Sequence, residues 1–245
     1  MIPKVIHYCW FGGKDLSPLA NKCIRSWQEF FPDYEIKRWD ESNFDIGIIP
    51  YTSQAYKAGK YAFVSDYARF WILYRYGGLY FDTDVEVIRS MDNILSEGAF
   101  IGREYSAEHP SGKNTGLGVN PGLGMGAEKG NRVLKKIMDI YETKTFDGSS
   151  ETIVDIVSDF LKSEGLKEND IIQSVGGIKI YPKEYFCPID SITGAKEITP
   201  QTVSIHHYVA SWQPWHRRLK QKVKKLVGSR FTENFIKLKS IVLHR

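Results

Sequence analysis

The feature that most constrains the fold is the segment from Tyr61 to Asp84, where a helix leads directly into a strand and two carboxylates. Residues 61–76 place aromatic and aliphatic side chains at helical spacing, which predicts a long and mostly buried helix. Gly77-Gly78 ends it, since glycine readily takes the left-handed conformation of a helix C-terminus. Residues 79–81 then form an apolar strand that runs into Asp82-Thr83-Asp84. The carboxylates therefore lie at the carboxyl end of a strand, where open α/β sheets bind ligands.

The N-terminal residues follow the order strand, helix, strand. The apolar run from Lys4 to Trp10 predicts a buried strand, and the alternating residues 34–39 predict a second one. Between them, Ser17 is placed to cap a helix that begins at Pro18, and Pro32 ends it. This order predicts an α/β fold that opens with parallel strands.

The central and C-terminal residues predict loops, helices and further strands. Six glycines lie between residues 112 and 126, a density that predicts a flexible active-site loop without regular structure. Helical patterns follow at residues 131–141 and 151–163. Strands are predicted near residues 178–181 and 202–208, which adds to the α/β pattern.

Composition narrows the class of protein. The 245 residues fit one α/β domain with an appendage, and 42% hydrophobic with 25% charged residues is typical of a folded domain. No apolar run approaches the roughly 20 residues that a membrane span needs, and the N-terminus lacks a signal-peptide pattern. Cys9, Cys23 and Cys187 have no CxxC spacing, so we expect buried thiols. These features predict a cytoplasmic protein.

The C-terminal residues carry a strong positive charge. Residues 213–245 hold ten of the 33 basic residues and one of the 29 acidic residues. Interleaved apolar residues predict a basic amphipathic helical tail that follows a catalytic domain of residues 1–212. Such a tail suits contact of residues 216–245 with an anionic membrane surface, or packing of its apolar side on the domain. It lacks the aromatic pattern of RNA-binding segments, so no nucleic acid partner is expected.

Two groups of charged side chains indicate chemistry. Carboxylates two residues apart, as in Asp82 and Asp84, suit a divalent cation, whereas a solvated turn is the simpler interpretation of such a triplet alone. The apolar strand before them favours the cation, because a buried acid needs a partner. Asp66 and Arg69 lie three residues apart on one face of the predicted helix. An internal ion pair and a nearby polar ligand explain that pair equally well.

Three ordered motifs are similar to those of a known family. They are Ser65-Asp66-x-x-Arg69 with Gly77-Gly78-x-Tyr80-x-Asp82-x-Asp84, Ile2-Pro3-Lys4-x-Ile6-His7-x-x-Trp10-x-Gly12, and His206-His207-Tyr208-x-x-Ser211-Trp212. Together they resemble the DXD-containing glycosyltransferases of family 32, with a more distant similarity to the large bacterial glucosylating toxins. The resemblance implies a GT-A type fold, in which a Rossmann-like mixed sheet is flanked by helices. It also implies a nucleotide-sugar donor, a divalent metal such as Mn²⁺ or Mg²⁺, and retention of anomeric configuration.

The resemblance implies roles for the charged residues. Asp66 and Arg69 would act in catalysis by hydrogen-bonding hydroxyls of the donor sugar. Asp82 would reach both the ribose and the metal, and Asp84 would bind the metal directly. His207 would complete the metal site.

The resemblance also implies contacts with the nucleotide. The residues that would make them are Trp10, Tyr80, Ser211 and Trp212. Trp10 would stack on the base, although its place after a buried strand suits the core equally well. Tyr80 would lie beside base or ribose, and the last two would contact the diphosphate. Because neighbours in an extended segment point to opposite faces, one of His206 and His207 faces the metal, and the resemblance favours the second.

These expectations define one function and two rivals. The expected enzyme moves a hexose from a nucleotide sugar, with UDP-sugars preferred, to a glycan or lipid-linked acceptor in surface polysaccharide synthesis. The first rival is a DxD phosphohydrolase with Asp82 as nucleophile and Asp84 as acid. The second is a non-catalytic module that binds an anionic surface through its basic tail.

Overall fold

A mixed eight-stranded sheet organises the chain in the computed structural model, which describes residues 1–106, 116–148, 151–189 and 196–209. The strands are β1 (Val5–Cys9), β2 (Glu35–Trp39), β3 (Gly78–Tyr80), β4 (Val85–Val87), β5 (Phe100–Ser106), β6 (Gly116–Val119), β7 (Met125–Ala127), β8 (Gln173–Val175), β9 (Ile178–Tyr181) and β10 (Ser204–His206). The helices are α1 (Pro18–Phe30), α2 (Pro50–Lys57), α3 (Tyr61–Tyr76), α4 (Asp92–Ser96), α5 (Arg132–Glu142), α6 (Ile153–Ser163) and α7 (Lys183–Phe186), with a 3₁₀ turn at Pro121–Leu123.

The sheet joins a parallel part to a largely antiparallel part. Its order is β2-β1-β3-β7-β5-β9-β8, and β6 pairs with β5. Strands β2, β1 and β3 run parallel, with Ile6 opposite both Ile36 and Leu79. Strand β7 is antiparallel to β3 and to β5. Strands β4 and β10 form a separate antiparallel pair. The predicted parallel opening and the predicted mixed sheet are both confirmed.

Local sequence signals account for the helices that position the site. The Ser17 hydroxyl accepts a hydrogen bond from the Ala20 amide at 3.1 Å, and Pro18 is the first residue of α1. Helix α3 has the predicted bounds and ends at Gly77, whose φ of 68° lies in the left-handed region. The helix predicted at residues 131–141 is present as α5. The Asn131 side chain accepts hydrogen bonds from backbone amides of its first turn and caps it.

The glycine-rich segment differs from the prediction of a loop without regular structure. Its described part contains β6, the 3₁₀ turn and β7, and β7 lies near the middle of the sheet. A Cβ added to Gly126 would lie 2.5 Å from the Phe100 ring and 2.8 Å from the Leu79 side chain. Glycine is therefore present because strands on either side pack large side chains over it, and not because the segment needs flexibility.

Alternate side chains of the strands enter two apolar clusters. Leu79 and Phe81 pack with the cluster that includes Trp27 of α1. Tyr80 packs with the other cluster, which includes Phe70 of α3. This alternation follows from the two-residue period of a strand. It directs the Tyr80 side chain towards α3, the helix that carries Asp66 and Arg69.

Other expectations concern the termini and the thiols. Cys9, Cys23 and Cys187 are buried free thiols, as predicted. No helix within the described ranges combines the length and the apolar character required to cross a membrane. The tail at residues 213–245 lies outside the described residues, so its separation from a domain of residues 1–212 stays a prediction.

Candidate functional site

The Asp82-Thr83-Asp84 segment follows β3 after the single residue Phe81, at the end of the strand as predicted. Because β1 and β3 are parallel, the segment lies at the carboxyl edge of this part of the sheet. The Val85 amide donates to the Asp82 carbonyl at 3.0 Å and closes a turn. The Asp82 amide donates to the Gly122 carbonyl at 3.2 Å. The backbone thus fixes both carboxylates at the edge where a ligand is expected.

Three side chains with metal-ligating atoms meet at this edge, those of Asp82, Asp84 and His206. One ligand atom from each lies within 4.8 Å of the others. His206 comes from the end of β10, and its Nε2 is 3.1 Å from Oδ1 of Asp84. The second carboxylate oxygen of Asp84 accepts a hydrogen bond from the Val209 amide at 2.9 Å. Two segments that are far apart in sequence therefore form one polar group.

The charges in this group depend on one another. Burial opposes the charge of Asp84, but His206 and hydrogen bonds lower the pKa of this carboxyl to about 2. Burial also opposes the charge of His206, and Asp84 nevertheless raises the pKa of the imidazole. Burial raises the pKa of Asp82, Arg69 opposes that rise, and Asp84 adds to it. Each carboxylate thus has a cationic or cation-forming neighbour.

His207 lies outside this group. Its Nε2 is 2.8 Å from Oε2 of Glu86. The two adjacent histidines do point to different sides, as predicted, but the side chain that joins the aspartates is His206. The sequence-based preference for His207 does not match this arrangement, because the register of β10 on β4 places His206 opposite Val85, at the end of β4 next to the aspartates.

Asp66 and Arg69 extend the group towards α3. Nη2 of Arg69 lies 3.0 Å from Oδ1 of Asp66 and 3.3 Å from Oδ1 of Asp82. Asp66 is 8% exposed and Arg69 is 3% exposed. Burial raises the pKa of Asp66 to about 7, against the attraction of Arg69. The two residues form an internal ion pair, one of the two interpretations of the sequence, and the pair also reaches the DxD segment.

Tyr80 lies beneath the carboxylates. It is 1% exposed, its hydroxyl donates to Oδ1 of Asp82 at 3.2 Å, and the Arg69 guanidinium lies 4.9 Å from the centre of its ring. Strand β3 directs the side chain to the face covered by α3, and the predicted contact with base or ribose stays a prediction. In this structure Tyr80 supports Asp82 and Arg69 from below.

The other predicted nucleotide contacts involve residues at the two ends of the chain. Trp10 follows β1, packs partly against the core, and donates from Nε1 to the Lys14 carbonyl at 2.6 Å. Its ring is half-buried, which combines a core contact with an exposed portion. Ser211 and Trp212 lie outside the described residues, so their contact with a diphosphate stays a prediction.

The turn beside Asp82 is held by two residues that the sequence does not indicate, Asn120 and Glu104. The Asn120 side chain accepts from the Gly122 amide at 2.8 Å and donates to Glu104 at 2.7 Å. A Cβ added to Gly122 would lie 2.2 Å from Oδ2 of Asp82, so glycine allows this turn to approach the carboxylate. The run of glycines was a signal of a functional segment, but it did not show that Asn120 and Glu104 hold that segment in place.

The residues present fit a hard divalent cation. Carboxylate oxygens are the ligands that Mg²⁺ and Mn²⁺ prefer, and imidazole is a frequent additional ligand. Around the DxD segment, the carboxylates of Asp66, Asp82 and Asp84 face one guanidinium and one imidazole. A bound cation would lie beside the carboxylates of Asp82 and Asp84.

A comparison with known families finds a match over part of the chain. Residues 17–101 match the family described as "Glycosyltransferase sugar-binding region containing DXD motif". The matched range holds Asp66, Arg69, Asp82 and Asp84. These residues are therefore similar to the DXD-type sugar-binding region of glycosyltransferases, and the resemblance inferred from the motif of Asp66 to Asp84 is confirmed for this range.

Two curated relatives come from Schizosaccharomyces pombe. Inositol phosphoceramide mannosyltransferase 3 is 31% identical over 148 residues, which are 56% of this chain and 36% of that protein. Inositol phosphoceramide mannosyltransferase 1 is 34% identical over 113 residues, which are 41% of this chain and 33% of that protein. The match thus spans about a third of the length of these relatives.

A solved structure is similar in fold. The crystal structure of a glycosyltransferase involved in the glycosylation of the major capsid of PBCV-1 matches 90% of this chain and 100% of that chain. The TM-score is 0.50 and the sequence identity is 12%, so the likeness concerns the fold alone. It confirms the predicted GT-A type α/β fold.

Proposed function

We propose that the protein is a glycosyltransferase that uses a divalent cation to move a hexose from a nucleotide sugar to an acceptor hydroxyl. The observation that carries this proposal is the convergence of Asp82, Asp84 and His206 beside the buried Asp66 and Arg69 pair. When a nucleoside diphosphate leaves a sugar, negative charge develops on its phosphate oxygens, and a bound divalent cation stabilises that charge. Mn²⁺ is the preferred ion, with Mg²⁺ as the alternative.

The proposed ligands are Asp82, Asp84 and His206. His206 takes the place first given to His207, because it shares the group of the two aspartates while His207 contacts Glu86. The Asp84 carboxylate accepts a hydrogen bond from the Val209 amide, and the Asp82 carboxylate accepts one from the Tyr80 hydroxyl. These contacts orient the carboxylates before any ligand arrives, which lowers the cost of binding.

Asp66 and Arg69 are proposed to orient the donor sugar. Groups that hold sugar hydroxyls contribute by fixing the reacting carbon near its acceptor. The Asp66 carboxylate is buried and bound by Arg69, which disfavours a role as a free nucleophile. We therefore propose no covalent intermediate with the enzyme. The acceptor hydroxyl attacks the face from which the diphosphate leaves, the departing phosphate takes its proton, and the anomeric configuration is retained.

The donor and acceptor are proposed as chemical classes. The names of the two relatives describe transfer of mannose to inositol phosphoceramide. This supports a glycan or lipid-linked acceptor here, and a role in surface polysaccharide synthesis rests on the family resemblance. UDP-sugars are the preferred donors. We also propose that the basic residues 216–245 contact an anionic membrane surface that presents such an acceptor.

A panel of UDP- and GDP-sugars tests this function directly. Purified protein with Mn²⁺ should hydrolyse one donor slowly in the absence of acceptor, and excess EDTA should stop that hydrolysis. Release of inorganic phosphate from simple esters, without hydrolysis of any nucleotide sugar, would instead favour the phosphohydrolase.

Substitution of the two adjacent histidines tests the ligand assignment. His206→Gln should weaken Mn²⁺ binding at least about tenfold, because a ligand is lost. His207→Gln is the matched control and should bind Mn²⁺ like the wild type. Binding is measured by electron paramagnetic resonance of free Mn²⁺ at increasing protein concentration. The opposite pattern would restore His207 as the ligand.

A further inference from the structure

Glu104 is a buried carboxylate that joins two segments of the site. It lies in β5 and is 9% exposed. Its Oε2 accepts one hydrogen bond from Nδ2 of Asn120 at 2.7 Å and another from the Tyr208 hydroxyl at 2.8 Å. A buried carboxylate is costly unless it is hydrogen-bonded, so these two donors are needed where Glu104 lies.

The first segment leads from Glu104 to Asp82. Oδ1 of Asn120 accepts from the Gly122 amide at 2.8 Å, which fixes the 3₁₀ turn. The carbonyl of Gly122 then accepts from the Asp82 amide at 3.2 Å, and the Asp82 carboxylate occupies the space that a Cβ on Gly122 would need. The position of this ligand therefore depends on a turn whose capping residue, Asn120, is held by Glu104.

The second segment leads from Glu104 to His206 and Asp84. The Tyr208 ring packs edge-on against the His206 ring with 4.2 Å between their centres. Tyr208 has a φ of 51°, and within the described ranges it is the one non-glycine residue with a positive φ. Such a conformation is unfavourable by itself and persists where surrounding contacts hold it. The next residue, Val209, donates its amide to Asp84.

We propose that Glu104 is a positioning residue that sets the spacing of Asp82, Asp84 and His206 by holding the Asn120 turn and the Tyr208 segment together. This inference rests on the proposed metal-dependent function. Residues behind the ligands of a metal site commonly change metal affinity when they are replaced, because they orient the ligands. Glu104 acts on both sides of the group at once, since one oxygen atom accepts from both segments.

The test compares Mn²⁺ affinity in variants that keep or remove the acceptor. Glu104→Leu has a similar size but accepts no hydrogen bond, and it should weaken Mn²⁺ binding at least about tenfold. Glu104→Gln keeps a carbonyl oxygen that can accept from both donors, and it should return the affinity to within about threefold of wild type. Tyr208→Phe removes only the hydroxyl that donates to Glu104. It should also weaken Mn²⁺ binding, and it provides the test if Glu104→Leu does not fold.

Glu97→Leu is the matched control. Glu97 also accepts from a tyrosine hydroxyl, that of Tyr181 at 2.9 Å, and pairs with Lys179. It belongs to none of the contacts described around the DxD segment. This variant should bind Mn²⁺ like the wild type. A folded Glu104→Leu protein with wild-type Mn²⁺ affinity would overturn the proposal, and equal weakening in Glu97→Leu would do the same.

Amide hydrogen exchange in the metal-free protein separates this inference from the proposed function. The Gly122 and Val209 amides should exchange faster in Glu104→Leu and in Tyr208→Phe than in wild type, because the segments lose their common anchor. If wild-type protein binds no Mn²⁺, the proposed metal site is wrong, and unchanged exchange of both amides would show that Glu104 does not hold the segments.

Discussion

Arg69 and Arg103 are both almost completely buried, with 3% and 1% exposed, but their partners differ in charge. Arg69 contacts the carboxylates of Asp66 and Asp82. Arg103 donates to the backbone carbonyls of Lys167 and Asn169. Burial lowers the pKa of Arg103, whereas burial of Arg69 is outweighed by its acidic neighbours, which raise its pKa. The first arginine builds a polar group at the edge of the sheet, and the second ties a loop to β5.

Two buried histidines repeat this difference. His206 lies against Asp84, which raises its pKa despite burial. His7 has neutral partners: its Nε2 is 3.0 Å from the Gly77 carbonyl, and its Nδ1 accepts from the Trp39 indole at 3.1 Å. Burial lowers the pKa of His7 to about 4. Arg69 and His206 have acidic partners and lie in the candidate site. Arg103 and His7 are also buried but have neutral partners and stabilise the fold. The charge of the partners, more than the degree of burial, distinguishes the two pairs.

The largest expected effect on turnover comes from removing one charge of the site. Asp84→Asn should lower donor hydrolysis at least about a hundredfold, because the stabilisation of the departing diphosphate weakens with its ligand. Circular dichroism and thermal melting should stay close to wild type. Asp139→Asn, at an exposed carboxylate of α5, is the control and should keep full turnover. Full activity of Asp84→Asn, or of wild type in excess EDTA, would contradict the metal site.

Replacing each buried arginine by methionine tests directly whether the two arginines have different roles. Arg69→Met should lower the free energy of unfolding by about 3–5 kcal/mol, because two carboxylates lose a buried partner. Arg103→Met should lower it by about 1–3 kcal/mol, because two backbone carbonyls lose their donors. Urea unfolding measures both values. Only Arg69→Met should also lose turnover, by at least about tenfold, when both proteins are measured while folded.

Calorimetry of nucleotide binding sharpens this result. The proposed contacts of Arg69 are to the donor sugar, so Arg69→Met should bind UDP or GDP with little change while its kcat falls. Arg69→Lys keeps the charge without the planar fork and serves if the methionine variant does not fold. A loss of nucleotide affinity in proportion to the loss of turnover would show that the role given to Arg69 is wrong.

An effect that depends on pH, and is absent near neutral pH, comes from His7. The unfolded chain protonates this histidine near its ordinary pKa of 6.5, whereas the folded chain keeps it neutral down to about pH 4. Its contribution to stability is therefore present above pH 6.5 and is lost as the pH falls through about 4, a loss of about 3 kcal/mol. Protonation of Nδ1 would also break the bond from Trp39.

His7→Gln isolates this contribution, because an amide does not titrate. The raised pKa of Asp66 acts with the opposite sign, since a carboxyl that binds its proton more tightly when folded adds stability as the pH falls. The difference in unfolding free energy between wild type and His7→Gln, measured at each pH, removes the Asp66 term. That difference should shrink between about pH 7 and about pH 4. A constant difference would mean that His7 does not titrate differently in the folded chain.

Much of the site could be predicted because its signals are local. The bounds of α3 follow from helical spacing and from Gly77 at its end, and the position of Asp82 follows from the apolar strand before it. The alternation of His206 and His207 was also predictable from the period of an extended chain. Which histidine faces the aspartates depends on the register of β10 on β4, which adjacent residues do not encode.

The remaining differences arise from contacts between distant segments. Gly126 is required because Phe100 and Leu79, which are far from it in sequence, pack over it. From the sequence alone, the high density of glycines in this segment predicts a loop. The motif that contains Tyr80 indicates that this residue lies near the site, but it does not indicate the face of the sheet to which the side chain points. Glu104 has no local motif and is significant only through Asn120 and Tyr208.

The strand order has a consequence for how the region that matches the family can be excised or transplanted. Strand β3 is flanked by β1 and β7, and both neighbours lie outside the residues 17–101 that match the family. A fragment limited to that range would present the strand before the DxD segment with two bare edges, which invite aggregation. Any excised or grafted unit must therefore include Val5–Cys9 and Met125–Ala127.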